Sequence, residues 1–93
     1  VGGGNGFVSA AIQELQLPVL LVEPGMEGAR NARRRGVQHV VCGMLQDLCL
    51  LKQSVGGFGL FDVLEHIPDD RELLLELHEK LKLGGKLLLT VPA

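Results

Sequence analysis

Residues 1–9 of the chain read V-G-G-G-N-G-F-V-S, with glycines at positions 2, 4 and 6 in a Gly-x-Gly-x-Gly pattern and a further glycine at position 3. Glycine has no Cβ, so it adopts positive φ angles and lets a ligand lie against the backbone. Apolar residues then recur at helical spacing, which predicts a helix directly after the loop. A helix N-terminus at a glycine loop presents unpaired N–H groups and a positive dipole end. This stretch is typical of a nucleotide-binding loop, although a tight glycine turn without a ligand has the same composition.

Beyond the loop, short apolar runs alternate with amphipathic segments. The apolar runs predict buried strands over residues 19–22, 37–42, 55–62 and 87–91. The segments between them predict helices over residues 26–35, 45–52 and 70–82. Gly36 and Gly84 are placed to end two of these helices, and Asp69 is placed as an N-cap. The alternation is typical of a parallel α/β sheet, in which ligands bind outside the carboxyl ends of the strands. Four distinctive stretches fall at those ends: residues 2–6, Glu23, residues 43–44 and residues 62–66.

The bulk properties of the chain exclude several classes of partner. A net charge of −2 and an isoelectric point of about 5.9 provide no basic field that would attract nucleic acid. The arginine run at positions 33–35 is interpreted as a solvated helix end rather than a phosphate site. Two cysteines cannot make a disulfide framework, the longest apolar run is far shorter than a membrane span, and no signal-peptide pattern is present. The sequence therefore predicts a cytoplasmic protein with no nucleic-acid partner, no membrane partner and no metal site.

Three segments resemble the class I S-adenosylmethionine-dependent methyltransferases. The glycines at positions 2, 4 and 6 are similar to that family's motif I, whereas the dinucleotide fingerprint Gly-x-Gly-x-x-Gly would need a glycine where Phe7 stands. Residues 61–69, F-D-V-L-E-H-I-P-D, are similar to the segment after the family's fourth strand. Residues 81–89 resemble its Leu-Lys-Pro-Gly-Gly segment, with Leu83 in place of the proline. The resemblance covers nearly the whole chain and implies a Rossmann-like parallel sheet with helices on both faces.

The resemblance implies that S-adenosylmethionine is the cofactor. It assigns the binding of that cofactor to a set of residues at the carboxyl ends of the strands: Gly2, Gly3, Gly4, Gly6, Glu23, Gly43, Met44, Leu45, Phe61 and Asp62. The Glu23 carboxylate can accept hydrogen bonds from both ribose hydroxyls, and an exposed loop glutamate is the alternative interpretation. Dinucleotide-binding folds use the same device, so Glu23 does not discriminate between cofactors. The residues around Asp62 are expected at the methionine end.

Two further positions bear on the predicted site. The family often has an acidic residue after its third strand that bonds the adenine amino group, whereas Gly43, Met44 and Leu45 stand here and Asp47 is the nearest carboxylate. We therefore expect backbone groups and the apolar side chains of Met44 and Leu45 to hold adenine, and Asp47 to be a solvated helix residue. Histidine titrates near neutral pH, so His66 is a candidate general base. A locally hydrogen-bonded structural histidine is the favoured alternative.

The resemblance implies methyl transfer to a small-molecule acceptor by direct in-line displacement. Such a reaction needs no base when the nucleophile is an anion or an amine, and alignment of the reactants can supply much of the rate. One alternative is an NAD(P)-binding oxidoreductase or epimerase, which the glycine spacing disfavours. Another is a catalytically silent module that binds a cofactor or a partner. The acceptor and the oligomeric state stay open, because a fold does not determine them.

Residues 1–93 are expected to form a partial methyltransferase domain, truncated at both ends. A glycine loop of this kind follows a strand, to which only Val1 could belong, and no helix follows the last predicted strand. In the family's strand order the first strand lies between the second and the fourth. We therefore expect that the 93 residues alone do not fold stably, because two ladders of backbone groups would lack their shared neighbour.

Overall fold

Each half of the chain folds around one pair of parallel strands connected through a helix. A computed structural model describes residues 1–92. Its contacts divide the chain into two units, Val1–Leu48 and Cys49–Ala93. The strand pair in each unit is parallel, which confirms the predicted class of parallel α/β protein at this level. A single Rossmann-like sheet with helices on both faces stays a prediction.

Unit 1 contains the glycine loop and the first strand pair. Its elements are α1 (Phe7–Glu14), β1 (Leu20–Glu23), α2 (Met26–Arg34), β2 (His39–Cys42) and a 3-10 turn (Leu45–Asp47). β1 and β2 pair in parallel, from Leu20 opposite His39 to Glu23 opposite Cys42. The carboxyl ends of both strands therefore lie at one edge, and Glu23 is the last residue of β1.

The core of unit 1 is a small apolar cluster between its helices and strands. Leu21, Ala32 and Val37 are buried together, and Ala10 and Val40 pack against them. These residues come from α1, β1, α2, β2 and the segment that precedes β2. The cluster therefore holds the start of the chain against the helix and strands that surround Glu23.

The end of α2 follows the predicted glycine-capped geometry. Gly36 has a φ of +95°, and its N–H donates to the carbonyl of Arg33 at 3.0 Å. The N–H of Val37 donates to the carbonyl of Ala32 at 3.2 Å. This pair of bonds is the Schellman arrangement, in which a left-handed glycine satisfies the last helical carbonyls.

Unit 2 contains the second strand pair. Its elements are β3 (Val55–Phe61), a 3-10 turn (Leu64–His66), α3 (Asp70–Lys80) and β4 (Leu81–Thr90). β3 and β4 pair in parallel, and regular pairing runs from Gly57 opposite Lys86 to Phe61 opposite Thr90. Leu60 on β3 and Leu77 on α3 are fully buried.

The start of α3 confirms the predicted cap. Asp69 precedes the helix, and its Oδ1 accepts the N–H of Glu72 at 3.0 Å. A side-chain hydrogen bond with Asp69, together with the negative charge of Asp69, raises the pKa of the exposed Glu72 carboxyl. The N-cap therefore satisfies one backbone donor that the helix cannot.

The helix predicted over residues 45–52 is wrong. Only the 3-10 turn at residues 45–47 forms. The Asp47 carboxylate accepts the N–H of Met44 at 2.7 Å, which closes a single turn, and the backbone then becomes extended at Leu48 with a ψ of 138°. A local side-chain bond of this kind competes with the hydrogen bonds of a longer helix.

The predicted boundary between α3 and β4 is also wrong. α3 ends at Lys80 rather than at residue 82, and β4 begins at Leu81 rather than at residue 87. Leu81 is already extended and pairs with Val55. Gly84, expected to end the helix, instead lies within β4 with a φ of +79°, in the stretch where the register between the strands shifts.

Candidate functional site

The glycine loop runs from Gly2 to Gly6 and depends on positive φ angles. Gly2, Gly4 and Gly6 have φ values of 62°, 54° and 86°. The N–H of Gly3 donates to the carbonyl of Val22 at 3.1 Å, so the loop lies beside the carboxyl end of β1. Residues with a Cβ are strained in this conformation, which explains the glycine at alternate positions.

The glycines of the loop have different surroundings. A Cβ at Gly3 would lie 2.5 Å from Cγ of Leu21, and a Cβ at Gly6 would lie 2.7 Å from Cα of Ala32. At these two positions glycine permits close packing against β1 and α2. A Cβ at Gly4 would meet no heavy atom within 4 Å among the described residues. Gly4 therefore has an open side that can accept a ligand, unlike Gly3 and Gly6.

Glu23 connects the loop to the start of α2. Its Oε1 accepts the N–H of Gly4 at 2.9 Å, and its Oε2 accepts the N–H of Gly25 at 2.7 Å. The side chain is half-buried. An ionised carboxylate has about four lone-pair sites, so both oxygens retain acceptor capacity beyond these bonds. The structure thus brings Glu23 to the glycine loop, and the binding of a ribose by its carboxylate stays a prediction.

Gly28 belongs to this arrangement, although sequence reasoning missed it. A Cβ at Gly28 would lie 3.0 Å from the carbonyl oxygen of Gly4 and 3.2 Å from Cγ of Glu23. A side chain at position 28 would therefore crowd both the carbonyl of Gly4 and the side chain of Glu23. The available signal was a glycine in the first turn of a polar helix, a position where glycine lowers helix stability and therefore needs a packing reason.

The segment after β2 also reaches Glu23. The N–H of Gly43 donates to the backbone carbonyl of Glu23 at 3.0 Å. Met44 is exposed, whereas Leu45 is buried and its side chain offers little surface to a ligand. Asp47 is exposed, as expected, but it lies in the 3-10 turn, and one of its carboxylate oxygens accepts the N–H of Met44. The adenine contacts of Gly43, Met44 and Leu45 stay predictions.

In unit 2, Asp62 and Thr90 hold the carboxyl ends of β3 and β4 together. Asp62 has a φ of 56°, which is uncommon for a residue other than glycine, although aspartate tolerates it. Its N–H donates to the carbonyl and to Oγ1 of Thr90, both at 3.1 Å. The Thr90 hydroxyl in turn donates to Asp62 Oδ1 at 3.1 Å. Sequence reasoning missed Thr90, because its partner lies 28 positions away.

The remaining predicted residues of unit 2 are exposed. The Phe61 ring lies beside Gly59, where a Cβ would be 2.7 Å from Cε2 of the ring. His66 lies in the 3-10 turn, and its Nε2 is 3.6 Å from Oε1 of Glu65. The contacts of Phe61 with a cofactor and a catalytic role for His66 stay predictions.

The arginine run of unit 1 is held by local contacts. Arg35 stacks on the Phe7 ring, with its guanidinium carbon 3.5 Å from the ring centroid. Arg34 donates from Nη1 to Oδ1 of Asn31 at 3.2 Å. Arg33 and Arg34 occupy the last turn of α2, where the helix dipole favours positive charge. These contacts agree with the interpretation of the run as a solvated helix end.

The described residues lack the features of a metal site and of a membrane-spanning helix. Within residues 1–92, no group of three or more His, Cys, Asp or Glu side chains could hold a metal ion. None of the described helices has the length and apolar character that crossing a bilayer requires.

Unit 1 combines a glycine loop at a helix N-terminus with a carboxylate at the end of the next parallel strand, which is the arrangement of a nucleotide-cofactor-binding α/β protein. The family model described as "Methyltransferase domain" matches residues 1–89, nearly the whole chain. The chain belongs to this family, a class I S-adenosylmethionine-dependent methyltransferase domain. No curated protein gives a significant match.

Proposed function

We propose that the chain binds S-adenosylmethionine and serves methyl transfer to a small-molecule acceptor. The observation that carries the proposal is the bond from Gly4 N–H to Glu23 Oε1 at 2.9 Å. It places a carboxylate with remaining acceptor capacity beside Gly4, which has open space on its Cβ side. The family membership supports the same cofactor.

The residues of unit 1 fit the ribose and the adjoining part of this cofactor. Glu23 would accept hydrogen bonds from the two ribose hydroxyls, which are neutral donors that a carboxylate binds without proton transfer. Gly4 would let the cofactor lie against the loop backbone, because no side chain fills its open side. Gly2, Gly3 and Gly6 would shape the loop around it, and Gly43 and Met44 would contribute from the end of β2.

When bound between these residues, the cofactor would supply an electrophilic methyl group for direct in-line displacement from its sulfur by the acceptor. The task of the chain is to hold the reactants in that line, which is where much of the rate of such reactions originates. Phe61 and Asp62 are proposed to contact the methionine end. His66 is the candidate base for an acceptor that must lose a proton.

Isothermal titration calorimetry tests the cofactor. S-adenosylhomocysteine is expected to bind the intact protein at least about tenfold more tightly than NADH, because the third glycine stands at position 6 and Phe7 occupies the position that the dinucleotide fingerprint reserves for glycine. Tighter binding of NADH would instead favour the oxidoreductase or epimerase alternative. Binding of neither ligand would contradict the proposal.

A further inference from the structure

Asn5 is the single residue between Gly2 and Gly6 that has a side chain. Its Oδ1 accepts a hydrogen bond from Nδ2 of Asn31 on α2 at 3.0 Å. Asn31 is half-buried, and its own Oδ1 accepts from Nη1 of Arg34 at 3.2 Å. A hydrogen-bonded chain thus runs from the last turn of α2 to the middle of the glycine loop.

The chemistry of the arginine sets the direction of this chain. A guanidinium has only donors, so Asn31 must turn its carbonyl oxygen towards Arg34. Its NH₂ group then faces Asn5, and the carbonyl of Asn5 must face α2 to accept from it. The opposite orientation of the Asn31 amide would place a donor against a donor and an acceptor against an acceptor. Arg34 therefore fixes the orientation of both amides.

Three positions of α2 meet three successive residues of the loop. Gly28 lies against the carbonyl of Gly4, and Ala32 lies against Gly6. Asn31 bonds Asn5 between them. Positions 28, 31 and 32 share one helix face, because residues three and four apart are neighbours on a helix. The contacts at Gly28 and Ala32 are steric and set only a minimum distance between α2 and the loop. The Asn31–Asn5 hydrogen bond is directional.

We propose that Asn31 is a positioning residue for the cofactor, acting through Asn5 on the glycine loop, with Arg34 orienting its amide. The inference rests on the proposed function, since the loop that it positions is the one assigned to S-adenosylmethionine. Glycine-rich backbone loses much conformational freedom on ordering. A bond that orders the loop before the cofactor arrives lowers this cost and raises affinity, as preorganisation does generally.

The first test measures the loop in the absence of cofactor. Amide hydrogen exchange is followed at Gly3, Gly4 and Gly6, whose N–H groups are all hydrogen-bonded. Asn31→Leu keeps a side chain of similar size but cannot bond Asn5, and it should speed exchange at these amides by about 2- to 10-fold, the effect of one net hydrogen bond. Arg33→Leu is the matched control, because Arg33 is exposed on the same helix, and it should leave exchange unchanged.

The second test measures affinity for S-adenosylhomocysteine by calorimetry. Asn31→Leu and Asn5→Leu should each weaken binding by about 2- to 10-fold, and the double variant should bind no more weakly than either single variant. Asn5→Asp retains the Oδ1 acceptor and should therefore keep near wild-type affinity. If any substitution at position 5 weakened binding for merely structural reasons, Asn5→Asp would weaken it too.

Several outcomes would overturn the inference. Unchanged amide hydrogen exchange in the loop of Asn31→Leu would show that the two asparagines do not act together. A loss of affinity in the double variant equal to the product of the two single losses would show the same. Equal losses of affinity in Asn5→Asp and Asn5→Leu would show that the Oδ1 acceptor of residue 5 does not support cofactor binding. If the wild-type protein bound no S-adenosylhomocysteine, the proposed function would fail and Asn31 would have no cofactor role, while the exchange result would still show whether Asn31 orders the loop.

Discussion

The Glu23 carboxylate accepts backbone N–H groups from two sides, Gly4 on the loop and Gly25 before α2. Both donors belong to the backbone, so they persist through any side-chain substitution. A glutamine at position 23 would direct its NH₂ group at one of them. The carboxylate therefore connects the loop to the start of α2 in addition to its proposed role in binding a ribose, and the two backbone N–H groups orient its two oxygens.

Substitution of Glu23 tests this double role. Glu23→Ala should weaken binding of S-adenosylhomocysteine by about 2–4 kcal/mol, since charge-assisted bonds are lost and the ribose hydroxyls become unpaired. Glu27→Ala is the matched control, because Glu27 is an exposed glutamate in the first turn of α2 and should have no effect. Calorimetry on both variants measures the difference. A change below about 0.5 kcal/mol for Glu23→Ala would leave Glu23 as a half-buried structural glutamate at the end of β1, without a cofactor role.

Gly4 and Gly6 are expected to respond differently to the same substitution. Gly6→Ala adds a Cβ that would lie 2.7 Å from the backbone of Ala32, at a φ of 86°, so the free energy of unfolding should fall by about 3 kcal/mol or more. Gly4→Ala meets open space and should cost only the left-handed strain, about 1–2 kcal/mol. Urea denaturation of the intact protein measures both. Gly4→Val should in addition abolish binding of S-adenosylhomocysteine, by filling the space proposed for the cofactor. Equal loss of stability at the two positions would contradict the assignment of Gly6 to packing and Gly4 to the ligand.

At the scale of secondary-structure elements, α1 is connected to the end of α2 through one side chain. Gln13 donates from Nε2 to the carbonyl of Gly36 at 2.7 Å and accepts the N–H of Gln38 at Oε1, at 3.0 Å. These two backbone groups flank the start of the segment that leads into β2. The amide of Gln13 therefore holds α1, which begins at the glycine loop, against the connection between α2 and β2.

Gln13→Ala should lower the free energy of unfolding by about 1–2 kcal/mol, because two hydrogen bonds between a half-buried side chain and the backbone are lost. Glu14→Ala, at the neighbouring exposed position of α1, should change it by less than about 0.5 kcal/mol. Chemical denaturation of both variants of the intact protein measures the contrast. Equal effects would mean that the loss reflects helix composition and not the connection to α2.

At the scale of the whole molecule, the described residues contain two separate two-stranded parallel ladders. Parallel sheets are normally covered on both faces, and a pair of strands alone is marginally stable. Several apolar side chains of these strands are nevertheless exposed: Leu20, Leu83, Leu88 and Leu89. The packing within each unit therefore leaves much of the apolar strand surface in contact with water.

We predict that residues 1–93 expressed alone show no cooperative thermal transition and tend to aggregate, because a few buried side chains in each unit cannot offset the entropy of ordering the chain. Circular dichroism, calorimetry and analytical ultracentrifugation test this. Leu88→Glu should improve solubility without creating a transition, since it removes an exposed apolar side chain and adds no packing. A soluble wild-type monomer with one sharp melt would contradict the prediction.

The sequence by itself determined the features that depend on neighbours along the chain. Periodicity predicted strands alternating with helices, and residue type predicted the glycine that ends α2 at position 36 and the cap at Asp69. The motifs indicated the family that the comparison confirmed. Each rests on a local rule, namely the φ range of glycine, the unpaired donors of a helix start, or the spacing of apolar residues. Local rules are readable from a short stretch of sequence.

Only the tertiary structure decided which residues meet across the chain. It separated Gly6, which packs on Ala32, from Gly4, which has open space, although both look alike in sequence. It also joined Asn31 to Asn5 and Thr90 to Asp62. The start of β4 at Leu81 likewise depended on pairing with β3. These outcomes depend on contacts between residues far apart in sequence, and the distance between two such residues is set by the packing of the elements that carry them.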